Sequence, residues 1–196
     1  SLFMSADGTF KAEQKISKAE GGFGPSLTFQ CGFGQSVVGI GDLDGDDVPD
    51  MVVGAPGFDD GGADRGAIFV ILLNTDGTVK LAQKISPTAG NLGGTALKDG
   101  DMFGTSVGLI GDLDDDQIPD IVVGSPFDDD GLGPNDQDFG AVWVINLDVE
   151  GKVKTKRKLS NKSGQFGSGG FFDNPIAQYS AFGSSVSGIG DFNGDG

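Results

Sequence analysis

Histidine is absent from this 196-residue chain, and cysteine occurs once, as Cys31. A single thiol excludes an intrachain disulfide framework, so stability has to come from packing and from any metal the chain holds. Without an imidazole, a nucleophile-elbow sequence or a GxxxxGK phosphate loop, the usual catalytic machinery has little support, and we expect no enzyme here. No apolar stretch approaches the roughly 18 residues of a membrane-spanning helix, so no membrane insertion is expected. No signal peptide is visible, but the sequence opens and closes inside repeats and reads as a fragment. Basic residues are scarce, with 13 Lys and Arg against 29 Asp and Glu, a formal charge of -16. That balance argues against nucleic acid, whose phosphates need clustered Lys and Arg, and against anionic membrane surfaces. Divalent cations are the natural counter-charge.

Glycine is abundant, at 36 residues, and is interleaved with short β-branched runs such as MVVGAP, AIFVILL, IVVGSP and AVWVINL. This pattern predicts an all-β protein. An internal repeat organises it. Phe33, Phe103 and Phe182 each open a segment reading FG, then SV after one intervening residue, then a glycine and an aliphatic residue before Gly-Asp, at steps of 70 and 79 residues. GAP from Gly54 matches GSP from Gly124, RGAIFVILL from Arg65 matches FGAVWVINL from Phe139, and AQKIS from Ala82 matches KRKLS from Lys156. The period exceeds that of helical solenoids and is closer to one four-stranded propeller blade with long loops. The expected organisation is the closing strands of one blade at 1–17, complete blades at 18–86 and 87–160, and the start of another at 161–196.

Within the first complete unit, strands are predicted at Gln35–Ile40, Asp50–Ala55, Ala67–Leu73 and Val79–Ile85. Asn74-Thr75-Asp76-Gly77 sits between two apolar runs, a hairpin signal because glycine accepts the positive φ of such turns. The proline of each GAP or GSP ends the second strand, since it has no N–H to give to a ladder. The basic cluster Lys152, Lys154, Lys156, Arg157 and Lys158 alternates along the last strand and reads as a solvated outer edge that resists strand pairing; the alternative is a polyanion-binding stripe.

The first two strands are joined by an acidic loop. Its first copy, Asp42 to Asp50, reads DLDGDDVPD; the second, Asp112 to Asp120, reads DLDDDQIPD; a third begins as DFNGDG at Asp191. Carboxylates stand at relative positions 1, 3, 5 and 9. A loop wrapping a hard cation turns alternate side chains inward, adds a main-chain carbonyl at position 7 and finishes on the last carboxylate. The ligands would be Asp42, Asp44, Asp46, the Val48 carbonyl and Asp50 in the first loop. In the second they would be Asp112, Asp114, Asp116, the Ile118 carbonyl and Asp120, and in the third Asp191, Asn193 and Asp195. Six or so oxygens are what calcium prefers, whereas magnesium demands tighter octahedral geometry. Asp-rich turns also form without metal, because Asp bonds its own backbone. Repetition of all four carboxylates favours the metal, since uncompensated like charges this close repel by up to a few kcal/mol per pair at an effective dielectric of about 20. An EF-hand would need Glu at position 12 and flanking helices, but Val53 and Val123 occupy that position inside strand sequences. The apolar residues at position 2 (Leu43, Leu113, Phe192) and position 7 are expected to pack beneath the loops.

FG, an acidic DxDxDxxxD loop and then GAP together resemble the FG-GAP repeat, found in the amino-terminal β-propeller of integrin α subunits and in many bacterial and algal extracellular proteins. The resemblance covers essentially the whole chain. It implies that each repeat is a propeller blade, that its first loop binds calcium, and that the FG and GAP elements pack near blade junctions. The family commonly has Gly at loop position 6, where this chain has Asp47 and Gln117; Gln tolerates a left-handed backbone less well than Asp. Family propellers usually have seven blades, so an arc of a larger propeller is expected, its edges covered by neighbouring blades of the same or another chain.

The function so implied is a calcium-binding module of a secreted or cell-surface protein, engaging a protein or glycan partner in adhesion, recognition or assembly. The alternatives are an accessory or carbohydrate-binding propeller of an extracellular hydrolase and a structural subunit of an extracellular filament. Three weaker signals complete the reading. Asp59, Asp60 and Asp64 offer a further cation site or solvated turns, Asn161-Lys162-Ser163 is an N-glycosylation sequon, and Cys31 and Trp143 read as core.

Overall fold

Every regular element of the described residues is a strand. The structure is a computed structural model and describes residues 2–4, 7–130, 138–163 and 176–190. Strands β1 (Leu2–Met4) and β2 (Phe10–Glu13) form a two-stranded antiparallel sheet. Strands β3 (Val37–Gly41), β4 (Asp50–Ala55), β5 (Ala67–Leu73) and β6 (Val79–Ile85) form a four-stranded antiparallel meander, the first blade. Strands β7 (Ser106–Gly111), β8 (Asp120–Ser125), β9 (Ala141–Leu147) and β10 (Val153–Leu159) repeat it as the second. Three of the four strands expected in the first unit have the predicted bounds, while β3 starts two residues late and runs one further.

The runs that lack alternation become the central strands. All seven residues of β5 and all six of β8 are buried, because the central strands of each blade pack side chains on both faces. Alternate side chains serve the two faces: Val52, Ile68, Val70 and Leu72 point into a core shared with Val107, Ile121, Val123, Trp143 and Ile145 of the second blade. On the opposite face Val53, Phe69, Ile71 and Leu73 gather Phe23, Cys31 and Phe58. Each fully buried Ile or Phe in these layers contributes about 1.5–3 kcal/mol relative to exposure. The fourth strands are edges, and the middle of β10 is exposed over Lys154–Arg157.

Close backbone approach explains why FG and GAP recur. The Gly34 N–H donates to the Gly54 carbonyl at 3.0 Å, and Gly104 repeats the bond to Gly124. Between blades the same residues touch: a Cβ on Gly54 would stand 2.0 Å from the Gly104 oxygen, and one on Gly124 would stand 1.8 Å from the Gly183 oxygen. No side chain fits at either place. The main chain of Gly66 also pairs in parallel with Phe103, as Gly140 does with Phe182, so the second and third FG are each clamped to the blade before them.

Candidate metal centre

Each acidic loop is built inward from its first aspartate. Asp42 Oδ1 accepts the N–H groups of Gly45 and Asp46 at 2.8 and 3.1 Å, and its Oδ2 accepts that of Asp47 at 2.7 Å. Asp112 repeats this with Asp116 and Gln117 at 3.1 and 2.7 Å. Aspartate is suited to the position because a short carboxylate reaches its own following amides. The curl puts position 6 in the left-handed region, with φ 65° at Asp47 and 69° at Gln117.

The last aspartate is the buried anchor of each loop. Asp50 Oδ2 accepts the Leu43 N–H and Oδ1 the Leu73 N–H, both at 2.9 Å. It thus ties the loop to the end of the third strand. Asp120 holds Leu113 at 2.8 Å and Leu147 at 3.2 Å, and its Oδ2 takes a further bond from the Asn146 amide. Burial pushes both carboxyls up, despite the amide donors that oppose it.

Carboxylate oxygens of Asp42, Asp44 and Asp50 come within 4.8 Å of one another in the first loop, and those of Asp112, Asp114 and Asp116 do so in the second. Asp46 and Asp120 stand outside these closest groups. Asp46 Oδ1 caps the Val48 N–H at 3.0 Å, as Asp116 caps Ile118 at 2.8 Å. Asp191, Asn193 and Asp195 lie outside the described residues. Val53 and Val123 are buried strand residues in β4 and β8, consistent with a loop that is no EF-hand.

Each loop also receives a lysine from the outer strand of its own blade, which the sequence reading missed. Lys80 Nζ stands 2.7 Å from Asp44 Oδ2 and also contacts Asp46. Lys154 Nζ stands 2.7 Å from both Asp114 and Asp116. The lysines lower the carboxyls of Asp46 and Asp116, and their own ammonium groups are held well above the ordinary lysine range by these partners. The signal was available in the repeat register, since Lys80 and Lys154 are each the second residue of the fourth strand.

A divalent cation fits the chemistry of the first loop. Asp44 Oδ1 is shielded from water and accepts no hydrogen bond from the described residues; a buried carboxylate oxygen of this kind carries a penalty that a cation would remove. Asp42 Oδ2 and the two Asp50 oxygens each accept one N–H among the described residues and so keep a lone pair, whereas Asp42 Oδ1 already accepts two.

Several expectations change in detail. Leu43 is buried beneath its loop as expected, but Leu113 is 57% exposed. Leu43 belongs to the core shared with the second blade, a core that Leu113 does not join. Phe192 lies outside the described residues. The basic strand β10 is an edge as predicted, yet it is more than a solvated one, because Lys154 and Lys158 turn onto carboxylates. Asp60 binds Lys84 and the Ser86 hydroxyl, the latter at 2.6 Å, while Asp59 caps the Asp64 N–H, so these three acids do not converge. Asn161 is 4% exposed, with both ends of its amide bonded to the Ile176 backbone, so the sequon amide is engaged in the folded chain. Cys31 and Trp143 are core residues.

The FG-GAP repeat family model matches residues 33–71 and 103–145, the span from the FG of each blade through its loop to the third strand. Human integrin alpha-7 is 41% identical over 100 residues, 51% of this chain and 8% of that protein. Human integrin alpha-6 is 37% identical over 145 residues, covering 74% and 11%, and human integrin alpha-11 is 28% identical over 165 residues, covering 84% and 12%. The chain therefore spans about a tenth of the length of these relatives. Two meandering blades, clamped together by the residues that define the motif, carry the two matches to the FG-GAP repeat model, and the chain is similar there to integrin alpha subunits.

Proposed function

We propose that the chain is a calcium-stabilised segment of an adhesion-type β-propeller in a secreted or cell-surface protein. The observation that supports this most directly is the pair of acidic loops, one per blade at the same place, each drawing three carboxylates within 4.8 Å. Calcium in the first loop would be held by Asp42, Asp44, Asp46, the Val48 carbonyl and Asp50. In the second it would be held by Asp112, Asp114, Asp116, the Ile118 carbonyl and Asp120, and Asp191, Asn193 and Asp195 would begin a third site. Bound calcium supplies charge neutralisation; the chain's own hydrogen bonds set the loop curl and tie it to the third strand. Extracellular calcium sites bind at roughly 0.1–1 mM, so at millimolar calcium each would add about 0.5–1.5 kcal/mol through linkage.

The blades form part of a longer arc, and the module is non-catalytic. On the first blade, Phe33, Val37, Met51, Val53 and Ile71 line an open cleft with Ile16, and Met51, Val53 and Ile71 correspond in the repeat to Ile121, Val123 and Ile145, which the first blade covers. A preceding blade suits that face. The partner is a protein or glycan on another surface, by analogy with the integrin relatives.

Thermal unfolding with calcium, magnesium or chelator tests the metal reading. A calcium-specific rise in Tm, reduced by Asp44→Ala and again by Asp114→Ala, is expected. Identical melting in calcium and chelator would reduce the loops to acidic turns.

A further inference from the structure

The second blade buries an acid pair where the first buries Cys31 and Phe58. In repeat register Asp101 replaces Cys31 and Asp128 replaces Phe58, and both aspartates are 1% exposed. Asp101 Oδ2 accepts the Lys98 N–H at 2.8 Å, while its Oδ1 is shielded from water and has no partner among the described residues. Around it stand Asp128 and Asp129 from the loop after β8, and Lys158 from β10, which also holds Asp130. Lys158 Nζ is 2.7 Å from Asp128 and 2.6 Å from Asp130, and lies 5.2 Å from the centre of the Trp143 ring. Of the other charges on the Asp101 loop, Asp99 is taken by Arg65 of the first blade at 2.7 Å, and the Lys98 ammonium acts on Asp130. Among the described residues one ammonium thus serves two carboxylates, and Asp101 has no cation of its own.

Ligand number decides what Asp101 can take. Calcium wants six to eight oxygens, but here Asp128 Oδ1 already accepts the Asp130 N–H, Asp128 Oδ2 and Asp130 Oδ2 lie on Lys158, and Asp130 also accepts the Ser160 hydroxyl. A proton needs one oxygen.

The loop that carries Asp101 is the seam between the blades. The N–H groups of Gly100, Met102 and Phe103 donate to the carbonyls of Ala63, Asp64 and Arg65 in the first blade at 2.9–3.1 Å. The Asp101 carbonyl accepts the Ser125 hydroxyl of the second blade at 2.9 Å. A charge forced onto the Asp101 side chain therefore acts on a segment bonded to both blades.

We propose that Asp101 is a proton-operated latch: protonated, it keeps the 98–104 segment seated between the blades, and loss of the proton loosens that junction. Burial first, and then the Asp128 carboxylate, push the Asp101 carboxyl up to about 7. The unfolded chain loses this proton near 3.8, so the folded state binds more protons between these values. Stability from the latch is fully present below the unfolded value and is lost as pH rises through about 7. With no histidine in the chain, few other side chains titrate in the upper part of this window.

Two measurements in chelator, which removes any contribution of the acidic loops, test the latch. Side-chain carboxyl carbon NMR of the wild-type chain is expected to show an Asp101 midpoint near neutrality. Wild-type Tm should fall by about 5 °C between pH 5.5 and 8.0, and Asp101→Asn, which keeps the oxygen facing Lys98, should flatten that dependence. An Asp101 midpoint below 5 overturns the proposal, as does a variant with the wild-type pH profile. Should Asp101→Asn not fold, the NMR midpoint in wild type and its fall in Asp128→Asn decide instead; an unmoved midpoint in that variant counts against the pair.

Discussion

The two blades share a backbone and differ in what they place inside it. In the first, Phe58 packs edge-on against Phe69 with ring centres 5.6 Å apart, and Lys84 lies over the Phe58 ring while pairing with Asp60. In the second, Trp143 takes the place of Phe69, Asp128 that of Phe58 and Asp101 that of Cys31, while the Lys158 to Asp130 pair is kept. The loops diverge as well. Leu72 of the first blade becomes Asn146 in the second, and its amide holds Asp120 Oδ2; Asp50 belongs to the close carboxylate group of its loop, whereas Asp116 replaces the last aspartate in the other. Backbone contacts at FG and GAP define the repeat, because no side chain fits there, and the layers between them accept either apolar or paired polar contents.

Removing the anchors should break this equivalence most strongly. Asp50→Ala leaves the Leu43 and Leu73 N–H groups buried without acceptors, and Asp120→Ala leaves that of Leu147 buried without one, while the half-buried Asn146 amide and the N–H of the more exposed Leu113 can turn to water. Each buried orphaned donor costs about 1–3 kcal/mol, so we expect a loss of roughly 2–5 kcal/mol for Asp50→Ala and a smaller one for Asp120→Ala. Urea unfolding in chelator measures this free of metal. A loss below about 1 kcal/mol in both would show that the anchors matter only as metal ligands.

The fold was legible because its signals repeat. MVVGAP and IVVGSP state a buried strand closed by proline, and Asn74 to Gly77 states a turn. Those local rules fixed β4, β5 and β6 to the residue. The first strand was read too early because Gln35 and Ser36 belong to the FG clamp, where Gly34 bonds to Gly54 rather than entering the ladder. In the loops, alternation identified the carboxylates but not their division of labour. Nothing in DLDGDDVPD says that Asp42 curls the turn while Asp50 bonds to a strand that arrives later in the chain. Lys80, Lys154, Asp101 and Asp128 were missed because their partners are remote in sequence, and a substitution between repeats, such as Phe58 to Asp128, reads as divergence until burial is known.

The tethered lysines sharpen the comparison at a smaller scale. Lys80→Met and Lys154→Met each remove an ammonium that calcium would have to displace from Asp44 and Asp46, or from Asp114 and Asp116. Exposed pairs are weak, so calcium affinity measured by titration calorimetry should tighten about two- to fivefold in each. Weaker binding in the variants would instead show that the lysine orders the carboxylates for the ion.

The smallest effect lies at loop position 6, where both blades hold a left-handed residue and only the side chain differs. Asp47 sits at φ 65° and Gln117 at φ 69°. A β-carbon crowds the following carbonyl in this region, at a cost of roughly 1–2 kcal/mol for an ordinary residue, and Asp visits it more readily than Gln through local hydrogen bonds. Glycine pays no such penalty but loses more chain entropy on folding. Gln117→Gly should therefore stabilise the chain by about 0.5–1 kcal/mol, and Asp47→Gly by less, in urea unfolding with chelator. Neither N–H changes, so the bonds to Asp42 and Asp112 stay in place and the difference between the two substitutions isolates backbone strain. A larger gain at Asp47 would mean that removing one negative charge from the first loop outweighs the strain relieved in the second. Repulsion among the carboxylates, rather than backbone conformation, would then set the stability of these loops when metal is withheld.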